Sequence, residues 1–193
     1  MDTVILASGS PRRRDLLARV KIPTKVVSPN IEEDRSAEGP VTELVTGLAC
    51  RKVEAVLDMF RAESPRWVLG VDTVVELEGR ILGKPKGIEE AESMLRSLSG
   101  KVHRVYSGLA LLVERGKPLD LQVVCTEVKF REMDQGELRF YLDTDEWAGV
   151  AGAYRIQERG AFFVEWIRGS YSNVVGLPLE AFYVILRRND YHF

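Results

Sequence analysis

The order of apolar patterns predicts one α/β unit, and three observations carry that expectation. Short strand-like runs alternate with amphipathic segments along the chain. No internal repeat or low-complexity linker interrupts them, so residues 1–193 are expected to form a single domain. With 45% hydrophobic and 29% charged residues, a chain of 193 is long enough to bury a core without disulfide or metal staples.

The elements follow in order. Val4 to Ala7 is a short apolar run that reads as a strand, followed by the small-residue loop Ser8-Gly9-Ser10-Pro11. A helix from Arg12 to Val20 comes next, with Ser10 as N-cap and Pro11 at the first helical position. Thr42 to Phe60 reads as a second helix because Val45, Leu48, Ala49, Val53, Val56, Leu57 and Phe60 recur at helical spacing, with Lys52 inside that stripe. Trp67 to Leu77 reads as a strand, and Arg80 to Leu82 pairs back across Glu78-Gly79. Ile88, Ala91, Leu95 and Leu98 mark one face of a third helix. The strands Val102 to Glu114 and Leu119 to Arg131 are joined by Arg115-Gly116-Lys117-Pro118 as a hairpin. A helix from Asp134 to Leu142, a strand at Phe162 to Ile167, a Gly-Ser loop and a helix from Leu179 to Leu186 complete the chain.

Charge narrows the function classes. The chain has 27 basic and 29 acidic residues, a net charge of -2, so no overall positive field exists to hold nucleic acid or an anionic membrane. Any bound anion must be held by a local cluster. The N-terminus has no secretory pattern, and no apolar run reaches the ~18 residues of a membrane helix. Cys50 and Cys125 stand alone, which fits a reducing cytoplasm, and His103 and His192 are too few for a His-rich metal site.

The most informative segment is Ser8-Gly9-Ser10-Pro11-Arg12-Arg13-Arg14. A helix N-terminus already carries about half a positive charge, so arginines there are misplaced unless an anion joins them. Backbone N–H groups, the Ser8 and Ser10 hydroxyls and guanidinium forks make a phosphate cradle. The competing reading turns the arginines to solvent, paired with acids such as Asp15. Lys52 must either snorkel past its apolar neighbours or aim its ammonium into a cleft, and Lys84 adds a further cation. Gly79 to Lys84 is one residue short of a Walker A loop and is followed by Pro85, so a P-loop is rejected. No GxSxG elbow occurs either.

Asp72 interrupts a buried strand and needs a cation or a wet cleft; otherwise it shares a solvated face with Glu76. Glu32 and Glu33 form another acidic pair in a charged loop. Convergence of Asp72 with a glutamate would make a hard oxygen site suited to Mg²⁺ or Mn²⁺. Gln157 offers adjacent donor and acceptor groups for a base edge, or serves as a polar cap.

Taken together, these residues resemble the Maf family, the septum-formation-inhibitor-like nucleotide pyrophosphatases. LASxSPRRxxLL stands as Leu6 to Leu17, Ile-Glu-Glu as Ile31 to Glu33, LAxxK as Leu48 to Lys52, DTVV as Asp72 to Val75 and GKP as Gly83 to Pro85. SGxxHxV is Ser99 to Val105, AGxYxIQ is Ala151 to Gln157 and VVGLPL is Val174 to Leu179. The chain departs from the pattern at Gly149-Val150, where the family often has Asp-Lys.

The resemblance implies a mixed, elongated β-sheet with flanking helices and two lobes around a central cleft, similar to inosine triphosphate pyrophosphatases. It implies hydrolysis of dTTP, UTP and modified pyrimidine triphosphates to the monophosphate and pyrophosphate, with a divalent cation. By position, Asp72 matches the proton acceptor, and Arg12, Thr73 and Gln157 the trio of the dTTP/UTP branch, as distinct from the 7-methyl-GTP branch. Ser8, Ser10, Arg13, Lys52 and Lys84 match phosphate-binding positions, and Asp72 and Glu33 the metal carboxylates. A homodimer is compatible with the resemblance. The rival reading is a nucleotide-binding regulator of septum formation with little catalysis.

Overall fold

A computed structural model describes residues 1–32, 39–60 and 65–193. A four-residue apolar strand must satisfy its backbone through neighbours on both edges, and β1 (Val4–Ala7) has them. It pairs in parallel with β2 (Thr24–Val27) and β3 (Val68–Leu77), with Ala7 opposite Val27 on one side and Gly70 on the other. All four β1 residues are buried, as expected of a central parallel strand.

β4 (Arg80–Leu82) pairs antiparallel with β3, and both turn residues between them, Glu78 and Gly79, have positive φ, the signature of a tight primed hairpin. β5 (Val102–Leu112), β6 (Asp120–Phe130) and β7 (Val164–Arg168) complete a seven-stranded mixed sheet of order β2-β1-β3-β5-β6-β7, with β4 attached to β3. The helices are α1 (Pro11–Arg19), α2 (Val41–Met59), α3 (Ile88–Leu98), α4 (Gln135–Leu142), α5 (Tyr171–Val175) and α6 (Leu179–Arg188). Among the described residues no helix is long and apolar enough to cross a membrane.

The predicted α/β class and most element bounds agree with this structure to within a few residues. Two elements were not foreseen. β2 is short and half-exposed beside Pro23, so it carries no usable periodicity. α5 lies where a Gly-Ser loop is expected, and its start is stapled by the Ser170 hydroxyl, which accepts the Asn173 N–H at 3.2 Å. One expectation is corrected: Ser10 occupies the N-cap position of α1, but its side chain makes no capping hydrogen bond, and its backbone N–H donates to Ser8 Oγ at 3.2 Å. At α4 the expected start at Asp134 is a full capping box with Glu137.

The chain folds as two compact units. Unit 1 is Met1–Asp72, Ser107–Val124 and Gly176–Phe193; unit 2 is Thr73–Tyr106 and Cys125–Val175. In unit 1, Ala49, Val53 and Val56 of α2 cluster with Ile5, Ala7, Val68, Ala110 and Leu112 of the sheet. Full burial of each such valine contributes about 1.5–3 kcal/mol.

The approach of α2 is unusually close at two glycines. A Cβ on Gly70 would sit 2.1 Å from the Ala49 carbonyl oxygen, and one on Gly108 would sit 2.5 Å from that of Val45. Backbone, not a flexible side chain, is the obstacle in both places. Gly70→Ala is therefore expected to cost at least roughly 1–3 kcal/mol, the usual cost of overpacking, and to displace α2. Urea denaturation checks this, and an unchanged midpoint would show that the helix yields freely.

Unit 2 is built on aromatic edges. His103 stacks edge-on against Phe130 and Tyr154, and Phe163 meets both Phe130 and Tyr141. His103 Nε2 lies 2.8 Å from the Tyr154 hydroxyl, while its Nδ1 is buried with no partner among the described residues. Burial therefore pushes the ring pKa down from 6.5 to about 4. The unfolded chain takes up this proton near pH 6.5 and the folded chain only near pH 4. Stability is thus full above pH 6.5 and falls across that interval by about 3 kcal/mol. His103→Gln should flatten that part of a stability-against-pH curve measured by urea melts; an identical slope in the variant would remove His103 as the cause.

Candidate active site

The site grows out of the strand register. Ala7 and Gly70 face each other at the end of the β1–β3 ladder, so Ser8, just beyond Ala7, and Asp72, just beyond Gly70, emerge at the same carboxyl edge of parallel strands. That edge is where open α/β sheets place ligands. Ser8 turns sharply, its N–H bonding the Leu6 carbonyl at 2.9 Å, and the loop runs directly into α1.

Of the arginines in the first turn of α1, Arg13 is 8% exposed and points inward. Its Nη1 donates to Ser8 Oγ at 3.0 Å and to the Val71 carbonyl at 2.8 Å, and its Nε to the Gly176 carbonyl at 2.8 Å. Arg14 does the opposite, lying exposed beside Asp15 at 3.4 Å. The solvent reading thus holds for Arg14 and not for Arg13. Ser8 Oγ accepts from Arg13 and from the Ser10 N–H at 3.2 Å. With both lone pairs engaged, its own O–H is the group it has left to offer, the correct polarity for a phosphate oxygen.

Lys52 does not snorkel. It is 4% exposed, and its Nζ reaches Asp72 Oδ1 at 2.7 Å and the Val71 carbonyl at 3.2 Å. Asp72 is 1% exposed, so the solvated alternative for this residue fails. Arg13 and Lys52 both donate to the Val71 carbonyl, which places two cations around the residue that precedes Asp72. A buried ion pair is a weak source of net stability, because desolvating two charges offsets most of their attraction. Its presence at a sheet edge therefore calls for a chemical explanation.

Unit 1 thus brings Ser8, Ser10, Arg13, Lys52 and Asp72 together, with Arg12 half-buried in the same turn. Thr73, Lys84 and Gln157 belong to unit 2. There the Gly152 N–H bonds the Gly83 carbonyl at 3.1 Å, tying the residue before Lys84 to the segment that leads to Gln157. Lys84 is exposed, and Gln157 and Thr73 are half-buried. Glu33, the expected second metal carboxylate, lies outside the described residues.

Among the described residues no group of three or more His, Cys, Asp or Glu side chains is placed to hold a metal ion. Among the described residues the carboxylate at this place is Asp72, a hard oxygen donor that suits Mg²⁺ or Mn²⁺.

The Gly176 and Val71 carbonyls, which orient Arg13, were not foreseen, and nothing in a sequence marks a carbonyl as an anchor. The inward turn of Arg13 follows from the helix face it occupies. Arg13 precedes Leu16 and Leu17 by three and four residues, and both are buried on the same face of α1.

Comparison with known proteins identifies relatives over the whole chain. Residues 3–189 match the family model described as Maf-like protein. The chain is 41% identical over 192 residues to a dTTP/UTP pyrophosphatase of Pelotomaculum thermopropionicum, covering 100% of this chain and 99% of that protein. It is 42% identical to a dTTP/UTP pyrophosphatase of Dictyoglomus thermophilum, covering 97% of this chain and 96% of the relative. One from Thermococcus onnurineus is 46% identical over 177 residues, 92% of each chain.

Proposed function

This chain belongs to the Maf family, and on that premise we propose that it hydrolyses dTTP and UTP to the nucleoside monophosphate and pyrophosphate. The observation that carries the proposal is the buried Lys52–Asp72 pair set beside Arg13 and the Ser8 hydroxyl at one sheet edge. It combines a base and cations where a strand pair opens to ligand.

In this reading the Ser8 O–H and the backbone N–H groups at the start of α1 bind phosphate oxygens, while Lys52, Arg12 and Lys84 neutralise their charge. Arg13 holds Ser8 in register. Water attacks the α-phosphorus in line with the bridging oxygen to the β-phosphate. That P–O bond breaks, its electron pair leaves with pyrophosphate, and the proton of the water passes to Asp72. Asp72 would alternatively hold a divalent ion bound with the triphosphate, which would supply further charge neutralisation. Arg12, Thr73 and Gln157 read the pyrimidine edge.

Release of pyrophosphate from UTP in the presence of Mg²⁺ or Mn²⁺, followed by a coupled phosphate assay, tests the activity. Tight UTP binding without turnover would favour the regulatory reading instead. We place the enzyme in the cytoplasm, and sedimentation of the purified chain tests a homodimer.

A further inference from the structure

Gln157 sits in a short irregular loop, and residues 155–160 are fixed from outside by one neighbouring stretch of unit 2. At the start of the loop the Arg155 N–H donates to the Tyr141 hydroxyl at 3.1 Å, and Arg155 Nη2 donates to the Ala148 carbonyl at 3.3 Å. At its end the Arg159 N–H donates to Glu146 Oε2 at 3.0 Å. Glu158 N–H closes back on the Arg155 carbonyl at 3.2 Å.

The supporting stretch is itself held by packing and hydrogen bonds. Tyr141 is fully buried at the end of α4, packed edge-on against Phe163. The Glu146 N–H donates to Thr144 Oγ1, and Trp147 Nε1 donates to the Leu142 carbonyl at 2.9 Å. Glu146 is 7% exposed, a burial that acids avoid unless their oxygens are engaged. Its oxygens are spent on the Arg159 backbone and guanidinium, that is, on the shape of the loop.

We infer that Tyr141 and Glu146 are positioning residues for substrate discrimination: by clamping both ends of the 155–160 loop they present Gln157 to the pyrimidine edge in one place. The inference rests on the base-reading role proposed for Gln157. A glutamine amide distinguishes bases only if its donor and acceptor are held at fixed positions, and a loop free at either end would blur that distinction.

The test compares Glu146→Ala, Glu146→Gln, Tyr141→Phe and Gln157→Ala in the full chain. Each is assayed for kcat/KM with UTP and with ATP, and for inhibition by inorganic tripolyphosphate, which has phosphates but no base. Tyr141→Phe keeps the buried ring and serves if Glu146→Ala folds poorly. We expect the UTP/ATP ratio to fall about 5- to 10-fold in Glu146→Ala and Tyr141→Phe, as loss of one hydrogen bond to the loop predicts. The fall should come through KM for UTP, with kcat and tripolyphosphate inhibition unchanged, and Glu146→Gln, which retains an acceptor oxygen, should lose less. A ratio unchanged in these variants but lowered in Gln157→Ala overturns the positioning role and leaves the base reading intact. A ratio unchanged in all four defeats the base reading itself. Tripolyphosphate inhibition weakened in step with the ratio would make the clamp merely structural.

Discussion

Replacing Asp72 by Asn is expected to lower turnover of UTP by at least ~10²-fold while leaving the fold in place. The change is nearly isosteric, and Asn Oδ1 still accepts from the Lys52 ammonium that now stands 2.7 Å from Asp72 Oδ1. What disappears is a carboxylate able to take the proton of the attacking water. The hydrogen bond to Lys52 is kept while the carboxylate and its charge are lost, so some loss of stability is expected, and near-normal kcat in the folded variant would falsify the assignment of Asp72. An equal loss in affinity for UTP and in kcat would point to a binding role.

Replacing Lys52 by Met is expected to destabilise the protein by roughly 3–5 kcal/mol, because it takes the ammonium away from a carboxylate that is 1% exposed. Methionine retains much of the apolar stem, so the loss is chiefly electrostatic. In the double variant Lys52→Met, Asp72→Asn most of that loss should return, since no buried charge is then left behind. Urea melts of the two single variants and the double variant complete the cycle. Additive losses would mean that the two side chains act independently despite their contact.

The α/β alternation was legible because strands such as Val4–Ala7 and helices such as α2 carry clean periods of burial. Lys52 and Asp72 were legible as misfits, a cation on a core-facing stripe and an acid in a buried strand, and each proved to be the other's partner. The sequence pattern alone left their pairing open, because a separation of 20 residues across a strand and a helix has no fixed geometry. Arg13 was visible only as one of a group in the wrong end of a helix dipole; which of them turned inward depended on the face shared with Leu16 and Leu17. Tyr141 and Glu146 left no local trace. Each bonds a backbone N–H 14 or 13 residues away, which any residue but proline could have supplied.

The bond from Arg13 to the carbonyl of Gly176 spans 163 positions, and all of unit 2 is encoded between its two ends. On the ribosome, the arginine emerges early and its last acceptor close to the end of synthesis, so the loop after β1 cannot be locked until translation is almost complete. Prematurely terminated products that stop before residue 176 would carry the full motif at their N-terminus and still lack the latch that sets it.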